Sequence, residues 1–155
     1  MAINYFEIQE GKEVSYRKLV RPDLMEHLKE KIFEKIVVQK KYKDSSYTAR
    51  ILAEELQTNV RYISAVIRVQ FHTNYSTFVN RFRVEEAMSL LANQRYEDYS
   101  IEDIGDMVGF VHRQSFHTAF LKYAGMTPKA YRKQYETVAL KDGKRKESNK
   151  LKTKR

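Results

Sequence analysis

The sequence predicts an all-α fold of about seven helices, forming two helix–turn–helix subdomains joined by a long linker helix. Three observations predict it. Apolar residues recur at three- and four-residue spacing through most of the chain, the period of a helix with one buried face. Only two prolines and five glycines occur in 155 residues, and Leu, Ala, Glu, Lys and Arg, all good helix formers, are common. An internal repeat is also present. Leu52, Ala53, Leu56, Ile63 and Ile67 reappear as Ile104, Gly105, Val108, Phe116 and Phe120. The offset is 52 residues and grows to 53 after a turn one residue longer.

The elements follow in order. Residues 1–22 show no sustained period and read as an N-terminal extension. Arg21-Pro22-Asp23 marks a helix start, because proline fixes φ just ahead of the repeat. Leu24, Leu28, Ile32 and Ile36, with Met25, Phe33 and Val37 widening the stripe, predict a helix over about 24–40. Residues 41–46 are a polar break. Leu52, Ala53 and Leu56 face inward from a short helix at 48–56. Thr58 or Asn59 is expected to cap the next helix with a side-chain oxygen. That helix covers about 60–70 and buries Ile63, Val66 and Ile67, so a first helix–turn–helix is placed at about 48–70.

A longer helix is expected over about 76–93, with Val84, Ala87, Met88 and Leu91 on one face. The second unit, at about 101–124, has its helices at 101–108 and 113–124. Ile101, Ile104, Met107 and Val108 stop at Gly109-Phe110; Phe116, Ala119, Phe120 and Tyr123 then begin. Thr127-Pro128 opens a last helix through Tyr131 and Tyr135, with proline tolerated in the first turn. The organised region is therefore 23–137. Residues 138–155 read as a basic, disordered tail.

Composition narrows the class of protein. No cysteine is present, which excludes disulfides and thiolate zinc sites. No apolar run approaches the roughly 18 residues of a membrane helix, and the polar N-terminus is not that of a signal peptide. The net charge of +9 is unevenly spread. Residues 141–155 hold eight of the 29 basic and two of the 20 acidic side chains, a local charge of +6. The other 140 residues carry only +3. Basicity as such therefore says little about the body of the chain.

Nothing in the sequence assembles an enzyme. His112 and His117 are five residues apart, about 140° around a helix, so they do not share a face for metal binding. Glu54, Glu55, Glu85, Glu86, Asp103 and Asp106 suit solvated helix surfaces. Glycine-rich phosphate loops, nucleophile elbows and metal-ligand series are all missing. No catalytic residue, metal or cofactor is expected.

The stretch from Ser100 to Tyr135 contains I-x-x-I-G-x-x-V-G-F, then F-x-x-x-F, then G-x-T-P-x-x-Y-R. This run resembles the second DNA-binding unit of the AraC/XylS regulators, and the likeness extends, less closely, back to about Leu24. The resemblance implies a transcription regulator whose two second helices read successive major grooves of double-stranded DNA, with half-elements about 10 bp apart. It places base contacts at Arg61, Ser64, Ala65, Gln114, His117 and Thr118. Arg68, His112 and Arg113 complete the outward-facing set, and arginine–guanine and glutamine–adenine pairing favour Arg61, Arg113 and Gln114 above the rest. Arg50, Arg81, Lys129, Arg132 and Lys133 are candidates for phosphate contact. Arg83 sits where arginine serves packing. RNA polymerase is a candidate second partner, and a cytoplasmic location follows from the class.

The chain departs from the family pattern in three places. Gly105 stands where alanine is usual. Gln57 occupies the turn position of Gly109. The turn after the first recognition helix lacks its glycine, and Asn74 is expected to supply a left-handed conformation there. Residues 1–22 are too few for a sensory domain, so no small-molecule effector is implied. The chain resembles the short family members or the severed end of a larger regulator. Two other readings stay open: a protein-interaction module or antagonist built on an inherited fold, and non-specific nucleic-acid binding through the tail.

Overall fold

Eight α-helices, and no strand, occur among residues 15–136, the part of the chain that the computed structural model describes. They are α1 (15–19), α2 (Pro22–Phe33), α3 (Ala49–Glu55), α4 (Val60–Phe71), α5 (Tyr75–Leu91), α6 (Ile101–Met107), α7 (Arg113–Ala124) and α8 (128–136). The helix expected over 24–40 divides. Beyond Phe33 it widens, and the Gln39 N–H reaches back five residues to the Glu34 carbonyl at 2.9 Å. The expectations for most of the N-terminal extension and for the tail at 138–155 lie outside the described residues.

α1 was not legible, because residues 1–22 show no sustained apolar period. Val20 is nevertheless buried, and Tyr16 and Leu19 pack on the same core. The packed body thus starts earlier than residue 23.

Backbone contacts divide the chain into two compact units, with the boundary between Arg83 and Val84 inside α5. In the first unit, α2 and α3 both pack against α4. Ile32, Ile36, Leu52, Ile63, Ala65, Val66 and Ile67 are its most enclosed apolar residues. In the second unit α6 packs against α7, and Ile104, Val108, Phe116 and Phe120 form the centre with Val84 and Ala87 of α5. α8 closes this core through Tyr131, whose ring meets Phe120 edge-on at 5.6 Å.

The internal repeat is carried into backbone geometry. After α3, Gln57 N–H bonds the Glu54 carbonyl at 3.1 Å and Thr58 N–H bonds that of Ala53 at 2.9 Å. After α6, Gly109 N–H bonds the Asp106 carbonyl at 3.1 Å and Phe110 N–H bonds that of Gly105 at 3.0 Å. Both turns need a positive φ, 54° at Gln57 and 108° at Gly109. A non-glycine residue held there is strained by about 1–2 kcal/mol. The turn after α4 differs from expectation. His72, not Asn74, takes the left-handed conformation, at φ 56°. Asn74 caps α5 instead, its side chain accepting from Thr77 N–H at 2.9 Å. That bond satisfies an orphan donor at the helix start.

Candidate nucleic-acid interface

α4 and α7 are the second helices of the two units. Asn59 caps α4 by accepting from Tyr62 N–H at 2.9 Å. This fixes where the helix begins and thus which side chains share a face. Arg61, Ser64 and Arg68, spaced i, i+3 and i+7, form one stripe that reaches solvent, with Arg61 the most open. Among the described residues neither arginine has a hydrogen-bond or ion-pair partner.

Ala65 does not belong to this stripe. It is 0% exposed, inside the first core with Val69 four residues further on. The expectation that Ala65 faces outward is corrected for a physical reason. α4 is covered on two sides, by α2 as well as α3, so the buried arc includes Ala65 and Val69 besides Ile63, Val66 and Ile67. The valine at 69, in line with Ala65, is the signal that could have shown it.

α7 is less covered. His112, extended and exposed, precedes it without making a capping bond. Arg113, Gln114 and Thr118 are exposed, and Leu121 is 52% exposed on the same side. His117 is half-buried, and its Nε2 is enclosed without a hydrogen-bond partner among the described residues. The helix ends at Gly125, in left-handed conformation at φ 73°, whose N–H bonds the Leu121 carbonyl at 3.0 Å.

Two features shape α6 and its contact with α7. Ser100 and Asp103 form a reciprocal capping box at the start of α6, with bonds of 2.9 and 3.0 Å. Hydrogen bonds from the Ser100 side chain and backbone to the Asp103 carboxyl hold it below its ordinary value. Gly105 is the second feature. A Cβ there would lie 2.8 Å from Phe116 Cδ1, so glycine is what lets the Phe116 ring lie against the α6 backbone. In the first unit the corresponding pair is Ala53 and Ile63, a larger residue facing a smaller one. Arg113 also reaches α6. Its Nε lies 3.1 Å from Glu102 Oε1. Sequence reasoning had Arg113 as a free arginine and missed this partner.

The phosphate candidates differ in exposure. Arg50 pairs with Glu54 one turn along α3, at 3.3 Å. Arg132 is half-buried and makes a long bond of 3.5 Å to the Tyr96 carbonyl. Arg81, Lys129 and Lys133 are exposed.

Arg83 is internal to the first unit. Its Nε donates to the Tyr42 carbonyl at 2.6 Å, and burial lowers the guanidinium pKa. Tyr75 OH donates to the Tyr47 carbonyl at 3.0 Å, and burial raises that phenol to about 12. Tyr47 OH donates to Glu55 Oε2 at 2.7 Å, and Lys35 Nζ lies 3.2 Å from the same oxygen. These contacts tie residues 42–47 to α3 and α5. Burial, then the bond to Glu55, raises the Tyr47 phenol, and the bond from Tyr47 holds Glu55 low. Among the described residues no helix is long and apolar enough to cross a membrane, and no group of three or more acidic or histidine side chains could hold a metal ion.

A helix-turn-helix domain family matches residues 52–134, which includes both second helices. The chain is 30% identical over 95 residues to an uncharacterized HTH-type transcriptional regulator, YtdP, of Bacillus subtilis (strain 168). That alignment covers 61% of this chain and 12% of the relative. It is 29% identical over 90 residues to the melibiose operon regulatory protein of Escherichia coli (strain K12), covering 58% of this chain and 29% of that one. Both relatives are therefore several times longer than the matched region. Among solved structures, the C-terminal domain of AraT, a response regulator from Geobacillus stearothermophilus, superposes with a TM-score of 0.58 at 25% identity. The superposition covers 74% of this chain and 86% of that domain.

Proposed function

Because the chain belongs to the AraC/XylS family of helix-turn-helix proteins, we propose that it is a sequence-specific, DNA-binding transcriptional regulator that reads double-stranded DNA through α4 and α7. One observation carries the reading. At equivalent positions of the two second helices, Arg61 and Gln114 are both exposed, each on a helix whose other face is locked into a core. An exposed arginine can hydrogen-bond guanine O6 and N7, and an exposed glutamine can pair with adenine N6 and N7.

Arg68, Ser64, Arg113, His117 and Thr118 extend the two reading faces, with His112 at the start of α7. Arg50, Arg81, Lys129, Arg132 and Lys133 supply phosphate contacts, those with an internal partner exchanging it for phosphate. Such contacts set register without reading sequence. The site has two elements, one for each unit, and is asymmetric when a single chain occupies it. The regulator acts in the bacterial cytoplasm on the chromosome, with RNA polymerase as a second partner.

The test is Arg61→Ala combined with Gln114→Ala on a site selected by the unmodified chain. Each good bidentate contact contributes about 1–3 kcal/mol of discrimination. The double variant is therefore expected to lose at least tenfold in preference for that site over scrambled DNA, with its helical content unchanged. Unchanged recognition would overturn the reading.

A further inference from the structure

We propose that Glu102 is a positioning residue for base reading by the second unit. Its carboxylate fixes the Arg113 guanidinium so that this arginine reads guanine instead of gripping phosphate at any sequence. The inference rests on the DNA-reading function proposed above.

Arg113 is the first residue of α7 and Glu102 lies in the first turn of α6. The contact runs from Arg113 Nε to Glu102 Oε1 at 3.1 Å. A guanidinium presents its donors in a planar fork. An ion pair on the Nε side restrains the guanidinium and leaves its two terminal nitrogens outside the contact. Guanine presents its O6 and N7 acceptors side by side in the major groove, which suits that remaining edge. A loose arginine at the same place would be a mobile cation, equally drawn to any phosphate.

The packing sets the register of this contact. Glu102 precedes Gly105 by three residues, and Arg113 precedes Phe116 by three. Each pair shares a helix face. The close approach of Phe116 to the α6 backbone at Gly105 therefore brings Glu102 and Arg113 together one turn away. The neighbouring acid, Asp103, is committed to the capping box. In the first unit the repeat places Arg50 and Val60 at these positions, so the device belongs to the second unit alone. The two side chains are 71% and 48% exposed, so the pair contributes little to folding. Its effect on DNA can then be separated from stability.

The test uses the full chain, its selected duplex, single-base-pair variants of that duplex and scrambled DNA. Glu102→Ala, Arg113→Ala and the double variant are compared with the unmodified chain. Glu102→Ala is expected to keep the thermal midpoint and to flatten guanine preference at one base pair by about fivefold or more. It should also raise affinity for scrambled DNA and steepen its salt dependence by about one phosphate contact. In the Arg113→Ala background the same change should do nothing. Glu102→Gln keeps an oxygen that accepts from Nε, so it should restore part of the preference. Unaltered preference with Glu102→Ala, or the same change in the Arg113→Ala background, overturns the proposal. If the unmodified chain selects no sequence, the proposed function falls with it. If it selects a site and Glu102→Ala matches it at every base pair, only the role of Glu102 falls.

Discussion

α4 and α7 begin from one template and reach solvent differently. The repeat matches Arg61 with Gln114, Ser64 with His117, Ala65 with Thr118, Arg68 with Leu121 and Val69 with Lys122. Ala65 and Val69 are buried, whereas Thr118 and Lys122 are exposed. The difference follows from α2, which packs against α4 and joins its core. Covering a recognition helix on a second side narrows what it can offer. α4 keeps one stripe with two arginines that have no partner among the described residues, while α7 keeps a broader mixed face whose arginine pairs with Glu102. A duplicated motif can thus keep its turn and its core while its two exposed faces diverge.

The sharpest way to break this comparison is one charge placed at the matched positions. Ala65→Lys should bury an unpaired ammonium and cost about 3 kcal/mol or more, enough to unfold the first unit. Thr118→Lys should stay within about 0.5 kcal/mol of the unmodified chain. Thermal denaturation followed by circular dichroism separates the two, and equal effects would mean that α4 is not covered as described.

The helix–helix contact ranks next. Gly105→Ala should destabilise by up to about 2 kcal/mol, since overpacking against Phe116 costs about 1–3 and helix propensity returns about 1. Combining it with Phe116→Ile recreates the alanine–isoleucine pair of the first unit. A double-mutant cycle should then give a favourable coupling of about 1 kcal/mol. Strict additivity would mean that the two positions do not share space.

The turns offer a smaller effect of opposite sign. Gln57→Gly should stabilise by about 1 kcal/mol, because it removes a left-handed non-glycine residue. Gly109→Ala should destabilise, since φ is 108° there. An upward shift of a few degrees in thermal midpoint is expected for the first variant, with urea titration as the second check.

Acidity gives the mildest test. Glu55 and Asp103 are both held below their ordinary values, by the bond from Tyr47 and the bonds from Ser100 respectively. A depressed carboxyl contributes stability that is fully present above its unfolded value, near 4, and is lost as pH falls through the lower folded value. Urea midpoints should be flat from pH 7 to about 5 and fall below about 4. Tyr47→Phe should weaken that acid dependence and Ser100→Ala should do the same; a response unaltered by either would contradict both assignments.

Much of this architecture was legible in the residues. The apolar period located α2 to α8 within a few positions, because each buries one face against a neighbour. The repeat aligned Gln57 with Gly109, and both residues hold a positive φ. The burial of Ala65 was less legible. Alanine suits a small contact with a base and a tight helix crossing equally well, and only the partner helix decides. The Glu102–Arg113 pair was hidden because its members lie on different helices, with a register fixed by Gly105 and Phe116. The role of His72 was hidden by a choice between two residues. Asn74 tolerates a left-handed backbone but also caps a helix, and capping satisfies the first turn of α5.

The central claim is that both second helices read DNA, each through its own residues. The most direct measurement is selection from random duplex DNA by the full chain at about 150 mM salt, repeated with Arg61→Ala and with Gln114→Ala. The account predicts an enriched site with two elements about one helical turn apart. Arg61→Ala should erase preference in one element and Gln114→Ala in the other. A folded, helical chain that enriches nothing, or variants that select the same two elements unchanged, would contradict it.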